Sequence, residues 1–134
     1  MNYTPDNITQ LEDNQIFVFG SNLAGKHGLG AAKIAKDKFG AVYGIGKGIC
    51  GGQCYAFPTK DWEIQSLTLL EIKNEFGDLI DCCNKHPEKE FLLTKVGCGL
   101  AGFSVAEIAP LLGYFTIPPN LILPKEFWSN LVPF

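Results

Sequence analysis

The chain has 134 residues, a formal net charge of −3, and 46% hydrophobic residues. That length suits one domain, and that apolar fraction is enough to bury a core. Its 11 basic residues are scattered, which excludes a general nucleic-acid-binding face, and no apolar run reaches the roughly 18 residues of a membrane-spanning helix.

The opening, Met1 to Asp6, has neither a positive region nor an apolar stretch, so no signal peptide is expected. Gln15-Ile16-Phe17-Val18-Phe19 is an apolar run ending at Gly20 and predicts a buried strand. A glycine-rich segment follows, and Ala31 to Phe39 predicts a short helix stopped by Gly40. Gly40 to Gly52 is dense in glycine and predicts turns around a short edge strand. Gln53 to Phe57 predicts the next strand, closed by Pro58, which cannot donate to a ladder.

Thr68 and Glu71 are spaced as a capping box, in which each side chain satisfies a free N–H of the other residue. A helix is therefore predicted over Leu69 to Lys85, with Leu69, Ile72, Phe76, Leu79, Ile80 and Cys83 on one stripe and Pro87 barring continuation. Phe91 to Val96 predicts a strand. Ser104 is the expected N-cap of a helix through Leu112, with Gly113 as its stop, and Asn120 to Leu123 predicts the last strand. The order of strands and helices predicts an α/β domain over residues 1–134, a three-layer α/β/α sandwich with a mixed sheet. In the tail, Phe127, Trp128 and Phe134 either cover the core or form a contact surface.

The five cysteines fit no zinc or disulfide spacing, so reduced thiols in a cytoplasmic protein are expected, with no metal and no cofactor. Three glycine-rich stretches carry the functional signal. Gly20 to His27 fits G-x₄-G-K, but His27 stands where a P-loop needs Ser or Thr for magnesium. Gly97-Cys98-Gly99-Leu100-Ala101-Gly102 is a literal G-x-G-x-x-G between a strand and a helix, with too little chain after it for a Rossmann domain. Its glycines still let backbone N–H groups approach an anion. Gly44 to Gly51 opens no helix and is read as a hairpin or surface loop. His27, set among glycines, is taken as a loop residue able to contact phosphate or act as a base. Tyr43, Tyr55, Phe103 and Tyr114 are candidates for stacking on adenine, although core packing also accounts for them.

With Ser21-Asn22 and Gly28-Leu29-Gly30 as a first loop and Gly97 to Gly102 as a second, the chain resembles the macrodomain superfamily over roughly residues 15–123. It is most similar to a phage- and bacteria-associated group of small macro-like proteins. The resemblance implies ADP-ribose held between the two loops: Ser21 and Asn22 at the ribose or a water, and Gly28, Gly30, Ala31, Gly97, Gly99, Leu100, Ala101 and Gly102 at the phosphates. Phe57-Pro58-Thr59-Lys60-Asp61-Trp62 is similar to a segment of the DarG-type ADP-ribosyl glycohydrolases in which the lysine is catalytic. That resemblance implies attack by Lys60 on the anomeric carbon, with Asp61 or His27 as its partner. The chain departs from that subclass in lacking a carboxylate after Gly97-Cys98-Gly99 until Glu107.

The expectations are thus a binder of ADP-ribose or a related nucleotide, a glycohydrolase acting through Lys60, or a protein sequestering a cyclic ADP-ribose-type signal. The partner expected in each case is a small-molecule nucleotide, with no membrane and no general nucleic-acid partner; the sequence leaves the oligomeric state open.

Overall fold

The computed structural model describes residues 2–131. The apolar run at the start of the chain becomes β1 (Gln15–Asn22), the central strand of a five-stranded mixed sheet. A nine-residue helix α1 (Gly30–Lys38) follows, then the edge strand β2 (Gly48–Ile49) and β3 (Cys54–Lys60). The long helix α2 (Leu69–Lys85) leads to β4 (Glu90–Leu93), and α3 (Val105–Leu112) leads to β5 (Leu121–Ile122). A short helix α4 (Lys125–Trp128) ends the described chain. The strand order is β2-β3-β1-β4-β5, parallel throughout except for β2 against β3. The chain therefore has an α/β fold.

Successive strand residues point to opposite sides of a sheet, and β1 divides its apolar residues accordingly. Ile16 and Val18 join Ile72, Phe76 and Leu79 of α2 and Ile108 and Leu112 of α3 in one apolar cluster. Phe17 and Phe19 join Ala32 and Ala35 of α1 in another. Phe76 is fully buried, and its replacement by alanine costs about 3–5 kcal/mol through lost transfer energy and the cavity left behind.

The capping box at Thr68 and Glu71 is present, which fixes the start of α2 where the sequence places it. The far end of α2 is held by the Asn120 side-chain amide, which donates to the carbonyls of Cys83, His86 and Lys89. The N-terminal segment is anchored by Thr4, whose N–H and hydroxyl donate to Leu123 O and Ile122 O.

Several elements differ from the sequence expectation, beginning with β1, which runs on through Gly20 to Asn22. β3 continues through Pro58 to Lys60, because β2 pairs only with Tyr55 and Ala56 and asks no hydrogen bond of Pro58. β4 stops at Leu93, where the Thr94 N–H and hydroxyl both donate to Val18 O and make the last contacts with β1. β5 is confined to two residues. The four-residue α4 has no sequence period to read, yet it buries Phe127 in the core, with Trp128 packed partly against it. Phe134 lies outside the described residues. No helix among the described residues is long and apolar enough to cross a membrane.

Candidate functional site

The loops beyond the carboxyl ends of β1, β3 and β4 surround a cleft of about 550 Å³. In open α/β sheets this is where connections diverge to either side of a central strand and leave a crevice. From β1 the chain passes to β3 on one side and later to β4 on the other.

One wall is the start of α1. Leu29 at its N-cap supplies no side-chain acceptor, and its first turn holds no acidic residue. Among the described residues the Gly30 and Ala31 N–H groups donate to no protein acceptor, and both residues line the cleft. By contrast α2 and α3 are both closed by capping boxes. Glu107, the first carboxylate after the second glycine loop, is used in this way, accepting from the Ser104 N–H at 3.0 Å.

The opposite wall is the loop after β4. Its shape is set by three backbone hydrogen bonds: Cys98 N–H to Lys95 O, Gly102 N–H to Gly99 O and Phe103 N–H to Gly97 O. Gly97 has φ +78°, and a Cβ there would lie 3.0 Å from Ile108 Cδ1, so any other residue is strained at this position. The frame leaves three consecutive N–H groups, those of Gly99, Leu100 and Ala101, without a protein acceptor among the described residues. Since the α3 terminus is already capped, these loop amides remain for an anion.

Lys26, Lys60 and Lys95 line the cleft, and no Asp, Glu or His does so among the described residues. Lys26 and Lys60 form no ion pair among those residues. Lys95 pairs with Glu126, which raises the pKa of Lys95, while Lys95 lowers that of Glu126. The unpaired Lys26 and Lys60 give the cleft a locally positive field in a chain of net charge −3, while the charge of Lys95 is shared with Glu126. Cys98 also lines the cleft, but burial pushes its thiol up to about 11, so it stays protonated and is a poor nucleophile at neutral pH. A second cavity of about 720 Å³ adjoins the first, sharing Gly30, Ala31, Thr94 and Lys95, and is bounded by Thr4 to Thr9.

The third wall is the hairpin after β3. The β1–β3 register shifts between Ser21 and Asn22, so that Asn22 pairs with Lys60 and Thr59 is the extra residue. Such bulges re-aim side chains near sites. Asp61 then closes the turn: its Oδ1 accepts from the Glu63 and Gln65 N–H groups at 2.8 and 3.0 Å. Within this turn Ile64 adopts φ 62° and lines the cleft. Ser66 Oγ donates to Ala101 O at 2.7 Å, joining the hairpin to the second glycine loop.

The structure brings together Ser21, Asn22, Gly28, Gly30, Ala31, Lys60, Gly97, Gly99, Leu100 and Ala101 around this one cleft. Gly102 closes the loop from outside it. Ser21 is buried, and its hydroxyl donates to Gly46 O at 2.6 Å, which ties down the third glycine stretch. A Cβ at Gly46 would overlap the Asn22 carbonyl, so that stretch is architecture and stays out of the cleft. Asn22 spends part of its amide on its own loop, accepting from Lys26 N–H at 3.0 Å and donating to Lys26 O at 2.9 Å.

Two candidate catalytic residues are not placed where the sequence suggested. The Asn22–Lys26 closure turns His27 inward, where it is 1% exposed, edge-on to Phe19 and 3.1 Å from Val42 O through Nε2. Asp61 is turned into its own hairpin and does not line the cleft. None of the four aromatic candidates lines it either: Tyr55 is buried in the core, Phe103 packs against it, Tyr43 is exposed elsewhere, and Tyr114 lies under Lys73. Sequence reasoning missed Lys26, Lys95, Thr94 and Ile64. Lys95 carried a usable signal, since it stands two residues past the end of β4 and two before Gly97.

Compared with family models, curated proteins and solved structures, the chain matches none.

Proposed function

We propose that this protein binds ADP-ribose or a related phosphate-bearing nucleotide in the cleft between its two glycine-rich loops. The observation that carries this is the convergence, on one cleft, of unpaired N–H groups from Gly30–Ala31 and Gly99–Ala101 with the unpaired Lys26 and Lys60 and no carboxylate in the lining. Backbone N–H groups and lysines together are the donor set that a diphosphate requires. The cleft volume of about 550 Å³ falls in the range of small-molecule sites. The open space where Cβ atoms would stand at Gly28, Gly30 and Gly99 lets a ligand approach the backbone. Asn22 keeps capacity for one further donor and acceptor contact, suited to a ribose hydroxyl.

The position of Lys60 on the cleft wall favours a second reading, removal of ADP-ribose from a macromolecule. In that reaction the amine forms a bond to the anomeric carbon as the bond to the leaving group breaks, and water later releases the sugar. The leaving group and the water need a proton donor and acceptor. With Asp61 and His27 turned away and Glu107 in a cap, no carboxylate or imidazole among the described residues stands at the cleft to serve. The binding reading therefore takes precedence.

A thermal-shift titration with ADP-ribose, beside AMP, ADP, NAD and cyclic ADP-ribose, tests it. Ligand at about 100 times its Kd adds roughly 2.7 kcal/mol, a shift of several degrees. A flat response to all five overturns the proposal. Release of ADP-ribose from a modified substrate by the wild type and not by Lys60→Ala would replace it with the hydrolase.

A further inference from the structure

Three exposed apolar side chains from three different loops line the cleft: Leu29 before α1, Ile64 in the hairpin and Leu100 in the second glycine loop. They are 66%, 37% and 67% exposed, and none belongs to either apolar cluster of the core. Isolated exposed apolar residues are ordinary, but two of these three also stand where local physics disfavours them. Leucine is among the poorest N-cap residues, and its presence leaves α1 uncapped. Isoleucine is β-branched, and φ 62° is a conformation such residues avoid. The fold does not need Ile64 there; the Asp61 carboxylate and the Ile64 N–H to Asp61 O bond hold it.

We infer that Leu29, Ile64 and Leu100 form an apolar collar at the cleft mouth that grips the nucleobase of a nucleotide whose phosphates lie on the lysine and amide floor. This rests on the nucleotide-binding proposal above. The floor fixes the anionic end by charge, and the collar side chains offer no hydrogen-bond partner. A hydroxyl-rich ribose buried against them would leave polar groups unpaired, whereas the face of a base would not. The collar thus sets specificity for nucleotides over bare phosphates, and the strain at Ile64 is the local cost of presenting that side chain.

The test is calorimetric titration of the full chain and of Ile64→Gly, Leu29→Ala and Leu100→Ser with AMP, ribose 5-phosphate and inorganic pyrophosphate. Ile64→Gly relieves the backbone strain, so it should melt at or above the wild-type temperature. It should bind pyrophosphate and ribose 5-phosphate as the wild type does, and AMP about tenfold more weakly, the size of a lost apolar contact. Leu29→Ala and Leu100→Ser, which remove exposed apolar groups and add no cap to α1, should show the same selective loss. Equal losses for AMP and ribose 5-phosphate, or no loss for any ligand, overturn the collar while leaving the nucleotide site standing. A wild-type protein that binds none of the three overturns the site and the collar with it.

Discussion

The Ser66 hydroxyl donates to the Ala101 carbonyl at 2.7 Å and so couples the hairpin that carries Lys60 to the loop that carries the free amides. This bond ties together two walls that are otherwise joined through β1. Ser66→Ala removes an exposed hydrogen bond, so stability should fall by about 1 kcal/mol or less. ADP-ribose affinity should fall by several-fold, because the walls are no longer pre-positioned. Calorimetric Kd values beside melting temperatures check this; an unchanged Kd would mean that the coupling does not serve the ligand.

Gly97 and Gly99 make a contrasting pair. Gly97→Ala places a Cβ against Ile108 at φ +78° and should cost about 1–3 kcal/mol. Gly99→Ala places its methyl in open space, so the melting temperature should hold while nucleotide affinity falls. Thermal melts with and without ADP-ribose separate the two, and equal destabilisation by both changes would contradict the roles assigned to them.

Removing Lys26, Lys60 or Lys95 singly should weaken ADP-ribose binding and flatten its dependence on salt, since each takes one ammonium from the anion. Titration at low and moderate ionic strength reads this directly. A lysine whose loss leaves the salt slope intact does not face the phosphates.

The buried Cys83 and the half-buried Cys98 predict alkaline weakening. Burial pushes Cys98 up to about 11 and Cys83 up to about 12, from an ordinary value of 9.0. The folded state keeps these protons longer than the unfolded chain, so this part of stability is whole below pH 9.0. It is lost as the pH rises from 9.0 towards 11. Melting temperatures across that window should fall, and the fall should be shallower in Cys98→Ser. Identical slopes would remove Cys98 from the account.

The helix α2 was legible because its signals are local: a Thr68–Glu71 box and an apolar stripe with a helical period. The two glycine loops were legible because each follows an apolar strand. What the sequence hid depends on partners far along the chain. His27 read as a loop residue because its neighbours are glycines, but Asn22 closes the loop and the Val42 carbonyl receives the ring. Asp61 sits beside Lys60 in sequence and turns from the cleft only because two hairpin N–H groups claim its carboxylate. The short α4 offered no period, and Leu29 gave no hint that an apolar N-cap faces a cleft.

The central place of β1 has a kinetic corollary. Its partners begin at Cys54 on one side and Glu90 on the other, so both flanking pairings span long stretches of chain. Non-local pairing of this kind forms slowly. A partly folded chain with β1 and β3 docked but β4 still loose would lack both Lys95 and the amides from Gly99 to Ala101. Under the proposed function, nucleotide capture during refolding should report closure of the β3-to-β4 crossover, rising only when β4 reaches the sheet.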